Sequence, residues 1–141
     1  MVPREAKFHI ESRVGRLIET RLEWLGSASD VLAIERALGQ AFVQAGPNPI
    51  ICSDWRGIDV FPPDVGDALL EVLRRDNGRI ERSAVLLSAG SAIFNLQVER
   101  LLREAGNPSR RAFRDVELLL AWVGEVLRPE ELERARALFA K

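Results

Sequence analysis

The chain has 141 residues, of which 47% are hydrophobic and 29% are charged, and its formal net charge is −1. These values predict one globular domain and exclude a general electrostatic attraction to nucleic acid or to an anionic membrane. The single cysteine, Cys52, allows no internal disulfide, no apolar run reaches membrane-spanning length, and residues 1–7 lack the apolar core of a signal peptide. We therefore expect a cytoplasmic protein without stable membrane insertion.

Two runs with the two-residue period of a half-buried strand open the chain. Residues 7–13 alternate apolar and polar side chains, and residues 17–24 do the same, with Ile18 and Leu22 on one face and Glu19 and Arg21 on the other. Gly15 lies between the two runs. The pattern predicts an antiparallel hairpin whose first strand lies at the edge of a sheet.

Helical stripes then alternate with short apolar strands. We predict a first helix whose periodicity starts at residue 30, which Ser27 or Ser29 can cap and which stops at Gly46–Pro47. We further predict strands at 49–54, 82–88 and 110–114, helices at 64–75 and 91–105, a helix capped by Asp115, and a last helix at 130–140. This order predicts a single-domain α/β fold with a mostly parallel β-sheet, an N-terminal β-hairpin and flanking helices. The core spans about residues 8–127. The C-terminal helical tail, residues 129–141, is expected to cover the sheet, and pairing of this tail in a homodimer stays open as the alternative.

Several segments together are typical of one family. They are the buried strand Ile50–Asp54, the loop and helix start at 61–66, the strand at 83–87, and the stretches VERLLREAG at 98–106 and RAFRDVELLLAW at 111–122. In their order and lengths they resemble the STAS fold of bacterial anti-sigma-factor antagonists, and more closely the bacterial STAS-like proteins that are also labelled STAS/SEC14. The resemblance covers roughly residues 8–126.

The resemblance implies a non-enzymatic regulatory module that binds a protein partner, such as a kinase-like or other signalling regulator. In the anti-sigma-factor antagonists, a serine before the second helix is phosphorylated to switch binding off. Asp64 and Val65 stand at the matching positions here, so the phosphoacceptor serine is missing. Asp64 has two interpretations: a residue that favours the helix start through the helix dipole, or a permanent imitation of phosphoserine. The alternative function is a small-molecule or lipid-binding protein of the SEC14 type.

The candidate partner-binding residues lie after the strand at 49–54, where the carboxyl ends of parallel strands form a common binding edge. They are Asp54, Trp55, Arg56, Phe61, Asp64 and Val65. Tryptophan and arginine are favoured at interaction hot spots. The sequence therefore predicts docking of the loop at 55–66, together with one face of the second helix, onto a protein partner. The alternative for two of these residues is that Asp54 caps the loop and Trp55 packs over helix ends.

Other residues receive weaker interpretations. Ser88, Gly90 and Ser91 join a strand to a helix start, where exposed amides can hold an anion, although Ser91 also serves as an ordinary helix cap. His9 is expected to be a solvated strand residue, and Cys52 a buried small hydrophobe. No catalytic residue, metal ligand or cofactor is predicted, and the arginines at 110, 111 and 114 are expected to form surface ion pairs instead of a nucleic-acid site.

Overall fold

Strands and helices alternate along the chain in the computed structural model, which describes residues 4–140. The strands are β1 (Lys7–Glu11), β2 (Leu17–Trp24), β3 (Ile50–Asp54), β4 (Arg82–Leu86) and β5 (Arg110–Phe113). The helices are α1 (Ala28–Ala45), α2 (Pro63–Asp76), α3 (Ala92–Ala105), α4 (Val116–Gly124) and α5 (Pro129–Phe139), and a 3-10 turn at Asn77–Arg79 follows α2. Met1, Val2, Pro3 and Lys141, which the predicted domain includes, lie outside the described residues.

The five strands form one sheet in the order of the chain, β1-β2-β3-β4-β5. β1 pairs antiparallel with β2, and every later pair is parallel. Gly15 lies in the hairpin connection with a φ of +54°, a left-handed conformation that glycine adopts without strain. The predicted α/β fold, with its N-terminal hairpin and edge strand, is confirmed.

The helices form two layers, one on each face of the sheet. Because the parallel strands follow one another in chain order, right-handed crossovers place α1, α2 and α3 on the same face. Val31 of α1, Val65 of α2 and Phe94 of α3 pack there in one apolar cluster with Val85 of β4. The helices α4 and α5 cover the opposite face, where Leu119 and Ala135 pack against Cys52.

The C-terminal helix explains the largest difference from the predicted strand pattern. The polar face of β2 was expected to meet solvent, but Glu19 is only 1% exposed because α5 lies over it. Arg134 of α5 donates a hydrogen bond of 2.8 Å from Nε to Oε2 of Glu19. The predicted cover on the sheet is therefore confirmed, and it is fastened by an ion pair as well as by apolar contacts.

The first helix begins at Ala28 with Ser27 as its N-cap, one of the two caps that the sequence predicts. The Asp30 carboxylate accepts hydrogen bonds from the amides of Gly26 and Ser27 just before the helix. The prediction that Arg110 is a surface residue was wrong. It is 6% exposed, and burial lowers its pKa to about 10, partly opposed by the charge of Asp76.

Candidate functional site

The carboxyl end of β3 carries an arginine–aspartate network. Arg56 donates from Nε and Nη2 to the two carboxylate oxygens of Asp54, at 3.0 and 2.9 Å, and its backbone amide also donates to Asp54. Arg21 of β2 approaches the same carboxylate at 3.5 Å. Burial alone would raise the pKa of Asp54, but the hydrogen bonds and charge of Arg56, with the charge of Arg21, hold this pKa below its ordinary value.

The same two arginines bind the end of α5. Arg56 donates to the carbonyl oxygen of Phe139 at 2.9 Å, and Arg21 donates to that of Leu138 at 2.5 Å. These carbonyls belong to the last turn of the helix, where cations interact favourably with the helix dipole. Asp54 and Arg56, predicted as partner-binding residues, are thus engaged within the chain.

Three aromatic rings fix the loop that follows β3. Phe61 contacts Trp55 and Phe94 edge to face, with ring centroids 5.7 and 5.0 Å apart. Trp55 and Phe61 are 7% and 4% exposed, and Val65 is fully buried. These three predicted contact residues therefore act as anchors beneath the loop, and their side chains present almost no surface to a partner.

Gln97 of α3 fastens the same loop from the outside. Its side-chain oxygen accepts the amide of Phe61 and its side-chain nitrogen donates to the carbonyl of Phe61, each at 3.1 Å. Ser91 adds a 3.3 Å hydrogen bond from its hydroxyl to the carbonyl of Asp59. These hydrogen bonds to the backbone of Asp59 and Phe61 therefore hold the loop against the start of α3.

Asp64 is exposed and has a partner within the chain. Its carboxylate accepts a hydrogen bond of 3.0 Å from the amide of Ala28, the first residue of α1. It also lies in the first turn of α2, where a negative charge favours the helix. The Asp64 carboxylate thus stabilises the N-terminus of α1 as well as that of α2, the helix to which Asp64 belongs.

Polar groups of the loop between β4 and α3 form hydrogen bonds within the loop and with neighbouring segments. The Ser88 hydroxyl accepts the amide of Gly90 at 3.3 Å, and Asn95 donates to the Ser88 carbonyl at 3.0 Å. Ser91 is the residue before the helix, but its side chain does not cap α3 and bonds to Asp59 instead. The amide of Gly90, predicted as an anion donor, is therefore occupied.

Sequence reasoning missed the exposed apolar residues at this edge. Val60 is 52% exposed, Ile93 70% and Leu96 66%, and the Ser91–Asp59 and Gln97–Phe61 hydrogen bonds bring their two segments together. We call Val60, Ile93 and Leu96 the edge patch. A helical projection of residues 92–105 could have found the last two, because both fall off the stripe of Phe94 and Val98 that packs inside.

A surface groove lies between α2 and α3, next in sequence to the residues of the edge patch. It has a volume of about 300 Å³ and is lined by apolar side chains that include Phe61, Leu70 and Leu101, and by the polar side chains Asp67, Gln97, Arg100 and Glu104. Arg100 pairs with Glu104 at 2.9 Å. A separate cavity of only about 60 Å³ lies between the sheet and the helices. It is far smaller than the roughly 300–1,000 Å³ of typical ligand pockets, so it offers no room for a lipid chain.

The isolated candidates for chemistry are accounted for by their surroundings. Cys52 is fully buried, and burial together with the charge of Glu19 raises the pKa of its thiol to about 12. His9 is exposed and lies 2.8 Å from the Glu11 carboxylate. In the part of the chain that the structure describes, no group of three or more histidine, cysteine or acidic side chains is placed to hold a metal ion.

The described helices include none that is both long and apolar enough to cross a lipid bilayer. The likeness to STAS domains stays a prediction from the order of the segments quoted above. Comparison of the sequence with protein-family models and with curated proteins finds no match.

Proposed function

We propose that this protein is a non-enzymatic regulatory module with a STAS-like fold that binds a signalling protein through the edge patch. The single observation that carries the proposal is the exposure of Val60, Ile93 and Leu96 beside the loop at 55–66. Isolated exposed apolar residues are common, but a group of three beside a groove with a partly apolar lining is a feature of interaction surfaces. The proposed docking surface therefore still includes the predicted loop, but its contact residues are those of the edge patch and not the buried Trp55 and Phe61.

The charges around the edge patch indicate the chemistry of the partner. Residues 57–73 contain Asp59, Asp64, Asp67 and Glu71 and no lysine, arginine or histidine. Residues 83–99 contain Glu99 and again no cationic residue. Arg100 at the groove pairs with Glu104, and Glu99 pairs with Arg114. Asp59 and Asp67 are therefore the charges that a partner would complement with lysine or arginine beside its apolar contact residues.

The rigidity of the loop supports binding without rearrangement. Trp55, Phe61 and Phe94 anchor it from below, and Gln97 holds the backbone of Phe61 from α3. A surface that is ordered before binding loses little conformational entropy when a partner docks. Because the position of a phosphoacceptor serine is taken by Asp64, this surface is proposed to be permanently competent to bind.

The test is capture of a partner from an extract of the native host by the immobilised protein and its variants. We expect one protein to bind the wild type and to be recovered at least tenfold less by Leu96→Asp and by Ile93→Asp, because each places a charge in the apolar contact. Val43→Asp is the matched control, since Val43 is 84% exposed on α1, away from the edge patch. Circular dichroism and the thermal midpoint confirm that all variants are folded.

Three results would overturn the proposal. Equal recovery by Leu96→Asp and wild type would remove the edge patch from the interface. No protein recovered above the level bound by a denatured sample would remove the binding function. A wild-type mass of two chains by light scattering that falls to one chain in Leu96→Asp would show that a second copy, and not a signalling partner, covers the patch.

A further inference from the structure

A partly open cavity, independent of the edge patch, lies between the sheet and the helices α1 and α2. Its volume is about 60 Å³, and its walls are mostly apolar, with Ile34 and Leu38 from α1 and Leu69 and Val72 from α2. A site of this size holds roughly four to six non-hydrogen atoms, at about 10–15 Å³ for each water-sized probe.

The sheet side of the cavity carries an unusual set of polar groups. Thr20 of β2 and Ser53 of β3 are paired neighbours, and Ser83 of β4, which pairs with Ile51, also lines the cavity. Such residues are rare on the covered face of a sheet, where apolar side chains normally pack. The three hydroxyl-bearing side chains give an otherwise apolar cavity one polar wall.

Two of the residues that line the cavity carry a buried polar group with no hydrogen-bond partner among residues 4–140. These groups are the hydroxyl of Thr20 and the indole N–H of Trp55, on residues that are 5% and 7% exposed. Most buried donors and acceptors in proteins are paired, because an unpaired group loses its bonds to water and gains nothing in return. An oxygen atom inside the cavity can accept from the indole N–H, and a hydroxyl group can bond to Thr20 as well.

The charged residues that line the cavity are Asp76, Arg110 and Arg111, and each has a partner in the chain. The guanidinium of Arg111 lies 4.8 Å from the ring centroid of Trp122. Arg110 donates to the side chain of Asn77 at 2.8 Å and to the carbonyl of Leu73 at 3.1 Å. Asp76 lies 3.5 Å from Arg79. An ion in the cavity would therefore find its possible counter-charges already engaged, which favours a neutral occupant.

We propose that this cavity is a binding site for a small neutral molecule with one hydroxyl group on a short apolar body, of the size of a three- or four-carbon alcohol. The hydroxyl group bonds to Thr20 and Trp55, and the carbon chain lies against the apolar side chains of α1 and α2. A ligand with four non-hydrogen atoms cannot bind more tightly than roughly 10⁻⁵–10⁻⁴ M, and we expect a dissociation constant in the millimolar range.

The test is a titration of the ¹⁵N-labelled protein with propan-1-ol, followed by nuclear magnetic resonance. The chain has three tryptophans, and Trp24 and Trp122 do not line the cavity. We expect the indole N–H resonance of Trp55 to shift to a plateau in the millimolar range, while those of Trp24 and Trp122 move only linearly with added alcohol.

Two substitutions at residue 20 separate hydrogen bonding from packing. Thr20→Val keeps the shape of the side chain and removes the hydroxyl, so binding should weaken about tenfold. Thr20→Ser keeps the hydroxyl and should bind within about threefold of the wild type. Well-dispersed amide spectra show that both variants are folded, and Thr20→Val should be no less stable, because it removes an unpartnered hydroxyl.

Three outcomes would overturn the inference. A linear shift of the Trp55 resonance, equal to those of the other two tryptophans, would mean that the alcohol only changes the solvent. Equal affinity in Thr20→Val and the wild type would mean that the hydroxyl is not used. A nuclear Overhauser contact from the Trp55 N–H to a bound water that persists at the highest alcohol concentration would show that the cavity holds water only.

Discussion

Replacing Arg134 with alanine should destabilise the protein far more than an ordinary surface substitution. The Glu19 side chain is only 1% exposed, and its carboxylate accepts a 2.8 Å hydrogen bond from Arg134. In the described part of the chain no other cationic group lies within 4 Å of this carboxylate. The variant would therefore leave a buried carboxylate without its counter-charge.

The size of the effect follows from the geometry of the pair. Breaking a buried ion pair on one side costs about 3–5 kcal/mol. Because the Arg134 side chain is 31% exposed, water can partly replace it, and we expect the lower end, about 3 kcal/mol. For a chain of this length that corresponds to a fall of about 10 °C in the thermal midpoint. Urea unfolding followed by tryptophan fluorescence measures the free energy directly.

Two controls identify the cause of the loss. Arg136 lies on the same helix and pairs with Glu117, but both side chains are more than half exposed, so Arg136→Ala should cost no more than about 0.5 kcal/mol. In a Glu19→Gln background, Arg134→Ala should cost less than about 1 kcal/mol, because no buried charge is left behind. Equal losses for Arg134→Ala in the wild-type and the Glu19→Gln backgrounds would refute the reasoning.

Three further predictions concern other parts of the fold. The Cys52 thiol, whose pKa burial raises to about 12, should resist a thiol reagent at pH 8 and react fully in urea, as a colorimetric assay can show. Gly15→Ala should lower the free energy of unfolding in urea by about 2 kcal/mol, because φ is +54° and the new Cβ would lie 2.1 Å from a Glu131 carboxylate oxygen. Gly39→Ala is the control and should not destabilise the protein, because there is open space at its Cβ. The pKa of Asp54 is lowered in the folded state, so the ionised carboxylate stabilises the protein above about pH 4, and this stabilisation is lost as the pH falls further. The free energy of unfolding of Asp54→Asn should therefore fall less steeply with decreasing pH than that of the wild type.

The regular elements could be predicted from the sequence because they depend on local periodicity and caps. Asp115 illustrates this, since its carboxylate accepts the amides of Glu117 and Leu118 as a helix cap does. The contact of Asp64 with Ala28 could not be predicted, because it joins residues 36 positions apart that only the packing of α1 beside α2 brings together. The sequence left two interpretations of Trp55 open, partner binding and packing over helix ends, because its burial depends on contact with Phe61, which the local pattern does not show.

The C-terminal helix also decides where the open surface of the molecule lies. The strands follow one another in chain order, so the sheet has no point at which the order reverses and opens a crevice. Arg21 and Arg56 fasten the end of α5 beside the carboxyl ends of β2 and β3, which engages the polar residues there. At the end of β4 the loop leads into α3, whose first turn leaves Ile93 70% exposed. A partner that approaches this edge therefore meets the start of α3 and the loop at 55–66, while the charged network at β3 holds the C-terminal helix in place.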